Sequence, residues 1–233
     1  MFTVLKSFTP GTTFVHQKPA ELLRNNKPNF IKNQCSSSYM QDENDAIYEG
    51  VLTVAKLMAV AARTAPKAKG SDVIVIRTVY GNDLKILADS MRKFGEMHKL
   101  GFFSRDANNV ENSDCCLVIG AKADASLGLN CGACGYKSCA AMGKEQKRNL
   151  ESTNDSESDS AFVGPNCAIR AADLGIALGS AAKTAAMHNV DNRIMYSAGV
   201  GALKLGWLDG CTTAYAIPLS ASGKNLYFDR KQD

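Results

Sequence analysis

Three cysteines, Cys131, Cys134 and Cys139, stand at C-x2-C-x4-C spacing in Leu129-Asn130-Cys131-Gly132-Ala133-Cys134-Gly135-Tyr136-Lys137-Ser138-Cys139. A fourth follows in Gly164-Pro165-Asn166-Cys167. Four thiolates match the four iron corners of a [4Fe-4S] cubane. A tight loop would serve three corners, and the more distant segment would serve the fourth and tie two parts of the fold together. Gly132 and Gly135 permit left-handed backbone geometry and close approach. Their N–H groups can then face cluster sulfurs and offset the negative charge of a thiolate-ligated centre. Helices starting at Cys139 and Cys167 would bring their positive ends to the same place.

Other chemistry suits some of the same residues. Four thiolates also hold structural Zn2+. Cys131-Gly132-Ala133-Cys134 has the spacing of a redox dithiol, although that reading leaves Cys139 unexplained. Unligated thiols are the plainest alternative. Cys115 and Cys116 lie in an apolar run and read as small buried hydrophobes on opposite strand faces. Cys35, Cys211, His16, His98 and His188 show no ligand spacing.

A second group of interest is Arg63, Lys67 and Lys69, clustered just past a predicted helix. They either bind an anion, such as a flavin or other cofactor phosphate, or compensate the helix C-terminal dipole. Lys224 and Arg230 occupy a similar late position. Gly199-Val200-Gly201 falls inside a predicted helix rather than after a strand, so it is no dinucleotide fingerprint.

The elements that must position these groups follow from periodicity. Residues 43–64 predict a helix, with Ile47, Val51, Val54, Leu57, Met58 and Ala61 on one face and Asp42 as cap. Val73-Ile74-Val75-Ile76 predicts a buried strand within 72–80. Leu84–Leu100 reads as an amphipathic helix, 105–112 as a shorter one, and Cys115–Gly120 as a second buried strand. A short helix is expected near 138–149. An Ala-rich helix over 167–189 is expected in a central position. A helix from Asn192 to Leu205, capped by Asp191, and a strand over 213–219 complete the pattern. Alternating strands and helices argue an α+β or α/β domain over 42–233.

Composition bounds the rest. The chain has 233 residues, 45% hydrophobic and 21% charged, which suits a globular domain with an ordinary core. The most apolar run, Val51–Ala62, is broken by Lys56, so no membrane span is expected. Residues 1–40 hold Lys6, Lys18, Arg24, Lys27 and Lys32 against Glu21 alone and carry the whole formal charge of +4. That balance does not suggest a nucleic-acid binder. Residues 1–41 read as a basic extension, either an organelle transit segment or a loose tail. Residues 151–160 contain no apolar side chain and read as a disordered insertion between the third and fourth cysteines.

The cysteine loop resembles the small 4Fe-4S domain of Rnf-type electron-transport subunits and corrinoid iron–sulfur proteins. Over residues 45–230 the chain resembles an uncharacterised family of ferredoxin-domain-containing proteins from anaerobic microbes. The matching stretches are Val54–Gly70, Asp173–Ser180, Asp191–Tyr196 and Ile217–Lys224. A weaker resemblance, through Ala61-Ala62-Arg63-Thr64-Ala65-Pro66 and the small-residue helix at 173–189, runs to flavin nitroreductases. It implies a nitroreductase-like mixed sheet flanked by helices, with the 4Fe-4S loop inserted, and FMN as a second cofactor. The Arg-rich flavin-phosphate motif of that fold is missing here. The resemblances together imply an iron–sulfur redox protein, with Cys131, Cys134, Cys139 and Cys167 as ligands and a redox partner protein as electron donor or acceptor. They also make a homodimer reasonable. The competing class is a non-enzymatic protein, cluster-stabilised or zinc-stapled, acting as sensor or interaction module. Either way a reducing compartment is expected: the cytoplasm, or the matrix of a mitochondrion-related organelle if residues 1–40 direct it there.

Overall fold

Asp42 Oδ1 accepts the N–H of Asn44 at 2.9 Å and starts α1, Glu43–Thr64. The computed structural model describes residues 42–152 and 160–228. After α1 come a 3-10 turn (Ala68–Gly70), β1 (Ile74–Tyr80), α2 (Asn82–Met97), α3 (Gly101–Glu111) and β2 (Cys115–Ala121). α4 (Cys139–Ser152), α5 (Ala168–Met187), β3 (Asp191–Asn192), α6 (Tyr196–Lys204) and β4 (Thr213–Ser220) follow.

The architecture is α+β. The strands form a sheet in the order β1-β2-β4-β3, and every pairing among them is antiparallel. The parallel pairing expected of a mixed sheet is absent among the described residues. β2 lies between β1 and β4, with Leu117 opposite both Thr78 and Ile217. Helices cover both faces, which is why all seven residues of β2 are buried. On one face Cys115, Leu117, Ile119, Ile217 and Leu219 pack against Val51, Met58, Leu174, Ala177 and Ala181 of α1 and α5. On the other, Cys116, Val118, Ala214 and Ala216 meet Leu87, Met91, Phe103 and Ala198 of α2, α3 and α6. Cys115 and Cys116 are thus the buried, oppositely facing residues that their strand position implies. α6 crosses β4 so closely that a Cβ on Gly199 would stand 2.2 Å from the Ala214 carbonyl oxygen.

Three expectations change. β1 is an edge strand: Arg77, Thr78 and Tyr80 are exposed, so its Val/Ile run is only half covered. The small-residue helix α5 lies in the outer layer. Asp173, Leu174, Ala177, Leu178, Ala181 and Ala185 are buried, while Ala171, Ala172, Gly175, Ile176 and Gly179 face outward. Asp191 and Asn192 do not start a helix. They pair with Ser220 and Leu219, and α6 begins only at Tyr196. Sheet hydrogen bonds there replace the expected cap.

The expected extension at 1–41 lies outside the described residues. So does 153–159 of the expected insertion, while Glu151 and Ser152 close α4. No helix of the described residues is long and apolar enough to cross a membrane.

Candidate metal centre

The segment between β2 and α4 is bent by left-handed backbone at Gly128 (φ 69), Asn130 (φ 48), Gly132 (φ 76) and Gly135 (φ 84). Asn is among the few residues with a side chain that tolerate this region, and here it gains a bond by doing so. Asn130 Oδ1 accepts the N–H of Cys139 at 2.8 Å, while the Asn130 N–H points back at Cys139 Sγ at 3.4 Å. Ser138 Oγ accepts the Ala141 N–H at 3.2 Å, an N-cap bond that makes Cys139 the first residue of α4. The Gly135 N–H closes a tight turn onto the Gly132 carbonyl at 2.9 Å, with Cys134 inside it.

The Cys139 sulfur therefore sits among donors. The Asn130 N–H leads in holding its thiol below the ordinary value. The Ser126 hydroxyl and the amides of Gly128 and Leu129 add to this, and slight burial opposes it. The sulfurs in the core behave in the opposite way. Burial pushes Cys115 up to about 12, Cys116 well above its ordinary value and Cys211 up to about 11. Ionisation is thus easier than for an ordinary thiol at Cys139 and harder at Cys115 and Cys116.

Cys167 is reached from the other side. It is buried and occupies the N-cap of α5, with its N–H donated to the Ala123 carbonyl at 2.8 Å. Thr212, just before β4, joins both segments. Its hydroxyl accepts the Ala123 N–H at 3.2 Å and donates to Asn166 Oδ1 at 2.5 Å. Its own N–H goes to Ala121 O at 3.0 Å, and its carbonyl accepts from Val163 at 3.2 Å. One turn into α5, Arg170 is 3% exposed. It donates Nε–H to Ala125 O at 2.9 Å, and Nη1–H to Ser71 O at 2.9 Å and to Asp173 Oδ2 at 3.0 Å. Asp173 Oδ1 in turn accepts the Ala68 N–H at 2.9 Å. Thr212 and Arg170 escaped the sequence reading. Neither belongs to a ligand pattern, and only the fold brings them to the loop.

The four candidate cysteines are therefore placed in two ways. Cys131, Cys134 and Cys139 share the loop–helix junction, with Cys131 exposed and the other two half-buried. Cys167 is tied to the start of the same loop. Among the described residues no three His, Cys, Asp or Glu side chains are gathered to hold one metal ion. A cubane sets a wider spacing, because each thiolate binds its own iron corner. In donor type the set suits such a group. A Cβ built on Gly128, Gly132 or Gly135 would meet no atom within 4 Å, so the loop leaves open space above its backbone.

Arg63, Lys67 and Lys69 are engaged with the protein. Lys67, with a side chain only 5% exposed, donates to Ala62 O at 2.9 Å and to Arg63 O, carbonyls in the last turn of α1. This is the dipole-compensating arrangement. Arg63 pairs with Asp72 at 2.6 Å and donates to Ile74 O at 2.9 Å. Burial acts against ionisation of Asp72, but the bonds from Arg63 and the Ile74 N–H outweigh it and hold the carboxyl below its ordinary value. Lys69 reaches across to Leu127 O at 3.0 Å and so holds the cysteine loop.

Comparison with known proteins agrees with this picture at the level of family. An uncharacterized protein of Archaeoglobus fulgidus is 46% identical over 189 residues, covering 81% of this chain and 96% of that protein. Residues 163–230 match a family described as "Uncharacterized protein containing a ferredoxin domain (DUF2148)". That stretch includes Cys167, α5, α6 and β4 but not the loop at 128–139. Neither match supports the likeness to flavin nitroreductases. On the extent of these matches, the chain belongs to the family of uncharacterised proteins that contain a ferredoxin domain.

Proposed function

We propose that the protein is an iron–sulfur electron carrier that binds one [4Fe-4S] cluster on Cys131, Cys134, Cys139 and Cys167 and exchanges single electrons with a redox partner protein. The observation that carries this reading is the geometry at Cys139: the Asn130 N–H points at its Sγ at 3.4 Å while Asn130 Oδ1 accepts the Cys139 N–H at 2.8 Å, in a loop with open space above its glycines. Backbone donors aimed at sulfur are what a negatively charged cluster needs, and they raise its potential. Membership of a ferredoxin-domain family is consistent with it. Cys131 and Leu129 are exposed, so a cluster held there would lie near the surface, within reach of a docked partner. The cluster supplies a one-electron couple. The chain orients the thiolates, donates a backbone N–H to that of Cys139 and covers the Cys167 side. A flavin phosphate at Arg63, Lys67 and Lys69 would have to displace their present partners, and the proposed function does not call on it.

The test is oxygen-free purification followed by iron, acid-labile sulfide, zinc and flavin determination. About four irons and about four sulfides per chain are expected, with a broad absorption band near ~400 nm. Stoichiometric zinc without sulfide would overturn the reading. Cys134→Ala should lose the iron and destabilise the region around the loop.

A further inference from the structure

The β2–α4 loop carries three of the proposed ligands, yet it has little core of its own. Its first residues are fixed by side chains from elsewhere, and the central one is Arg170. This guanidinium is buried, and its bonds run to three separate places: Ala125 O in the loop, Ala68 O and Ser71 O at the 3-10 turn, and Asp173 on its own helix. Asp173 holds the Ala68 N–H on the same side. Arg170 also lies three residues past Cys167. One side chain thus links the turn that bears Cys167 to Ala125, within the loop that leads to Cys131, Cys134 and Cys139. A buried charge needs complete pairing to be tolerated, and this one is paired in an arrangement that fixes the spacing of two ligand segments.

We infer that Arg170 is a positioning residue for the cluster, setting the separation between Cys167 and the loop that carries Cys131, Cys134 and Cys139. The inference rests on the proposed cluster. The planar fork is essential to it: Nε and Nη1 point in fixed, different directions, which a lysine ammonium cannot reproduce.

Arg170→Lys keeps the charge and loses the fork, and Arg170→Gln loses both. Hydrogen exchange on the iron-free protein should show faster exchange across residues 122–131 in either variant, with β2 and β4 unchanged. In the iron-loaded protein, release of iron to a chelator should be about 10–100-fold faster, the loss typical of groups that orient metal ligands. The cluster's midpoint potential should shift as its amide donors lose their alignment. Wild-type exchange in the loop, together with wild-type iron release and potential, overturns the role of Arg170. A wild-type protein without iron or sulfide overturns the cluster itself and the positioning claim with it. If neither variant folds, the Arg170 Nε–H of the iron-free wild type decides by NMR. Slow solvent exchange supports the tie to Ala125, and rapid exchange refutes it.

Discussion

Thr212→Val keeps the shape of a buried side chain and removes one hydroxyl, which makes it a sharp probe of how Cys167 is held. The hydroxyl accepts the Ala123 N–H at 3.2 Å and donates to Asn166 Oδ1 at 2.5 Å. Thr212 is 3% exposed, so the Ala123 N–H would lose its partner where water does not readily replace it. An orphaned buried donor costs about 1–3 kcal/mol. Asn166 is only half-buried and can turn to water, so its lost bond adds about 1 kcal/mol. The total is about 2–4 kcal/mol. For a chain of this size that corresponds to a fall in Tm of roughly 5–15 °C. The assay is thermal unfolding of the iron-free protein followed by circular dichroism, with Thr212→Ser as the control that restores the hydroxyl. The Ala123 carbonyl also accepts the Cys167 N–H, so faster iron release should accompany the lower Tm in the loaded protein. A Thr212→Val protein melting within about 1 °C of wild type would refute the claim that this hydroxyl joins the two segments.

Alkylation of the iron-free protein by iodoacetamide should modify Cys139 at a lower pH than an ordinary thiol, because its donors favour the thiolate. Cys115 and Cys116 should stay unmodified until the protein unfolds, and peptide mass spectrometry reads both. Gly199→Ala should destabilise the fold by about 2–3 kcal/mol or more in urea, since its Cβ would meet the Ala214 backbone, which cannot rotate away; a neutral effect would contradict the α6–β4 packing. Asp72→Asn should cost no more than about 1 kcal/mol at pH 7, because the Arg63 pair is partly exposed. The folded-state pKa of Asp72 is depressed, so its contribution is present above the ordinary value of 3.8 and lost as pH falls through the folded value. Wild type and Asp72→Asn should therefore converge in urea stability at low pH, and a gap that widens on acidification would reverse the assignment.

Much of the fold was legible because burial writes itself into local pattern. The stripe Val51, Val54, Met58 predicts α1 with its observed bounds, and the run from Cys115 predicts β2 as a wholly buried strand. Errors arose where a local signal competes with a distant partner. Asp191 has the chemistry of a cap, but sheet pairing with Ser220 took its backbone. The run Val73-Ile74-Val75-Ile76 has the composition of a central strand, yet strand order is a property of the whole sheet and leaves β1 at an edge. The small side chains of α5 allow close approach on every side, and only its packing on α1 and the sheet selects the buried one.

The candidate site divides along the same line. Ligand spacing is covalent information, and Cys131, Cys134 and Cys139 can be singled out without knowing any contact. What readies a sulfur for metal is the direction of nearby N–H groups, and a glycine count only permits this. Asn130 shows the difference: nothing in its type says that it adopts φ 48 and bonds Cys139 in both directions. Lys69 and Arg170 go further. In sequence Lys69 reads as a candidate anion binder or dipole partner and Arg170 carries no signal, yet each donates to a carbonyl of the cysteine loop, at Leu127 and Ala125. Substituting either should weaken the loop without touching a proposed ligand, whereas substituting a cysteine should remove a proposed ligand and, in the iron-free protein, leave the loop held. Iron content after loading and loop exchange in the iron-free protein should therefore separate: cysteine variants fail to hold iron yet match iron-free wild type in loop exchange, and Arg170 or Lys69 variants exchange faster in the loop even without iron. If both kinds changed both readouts equally, loop and cluster would fold as one unit, and the division between holding the loop and binding the metal would fail.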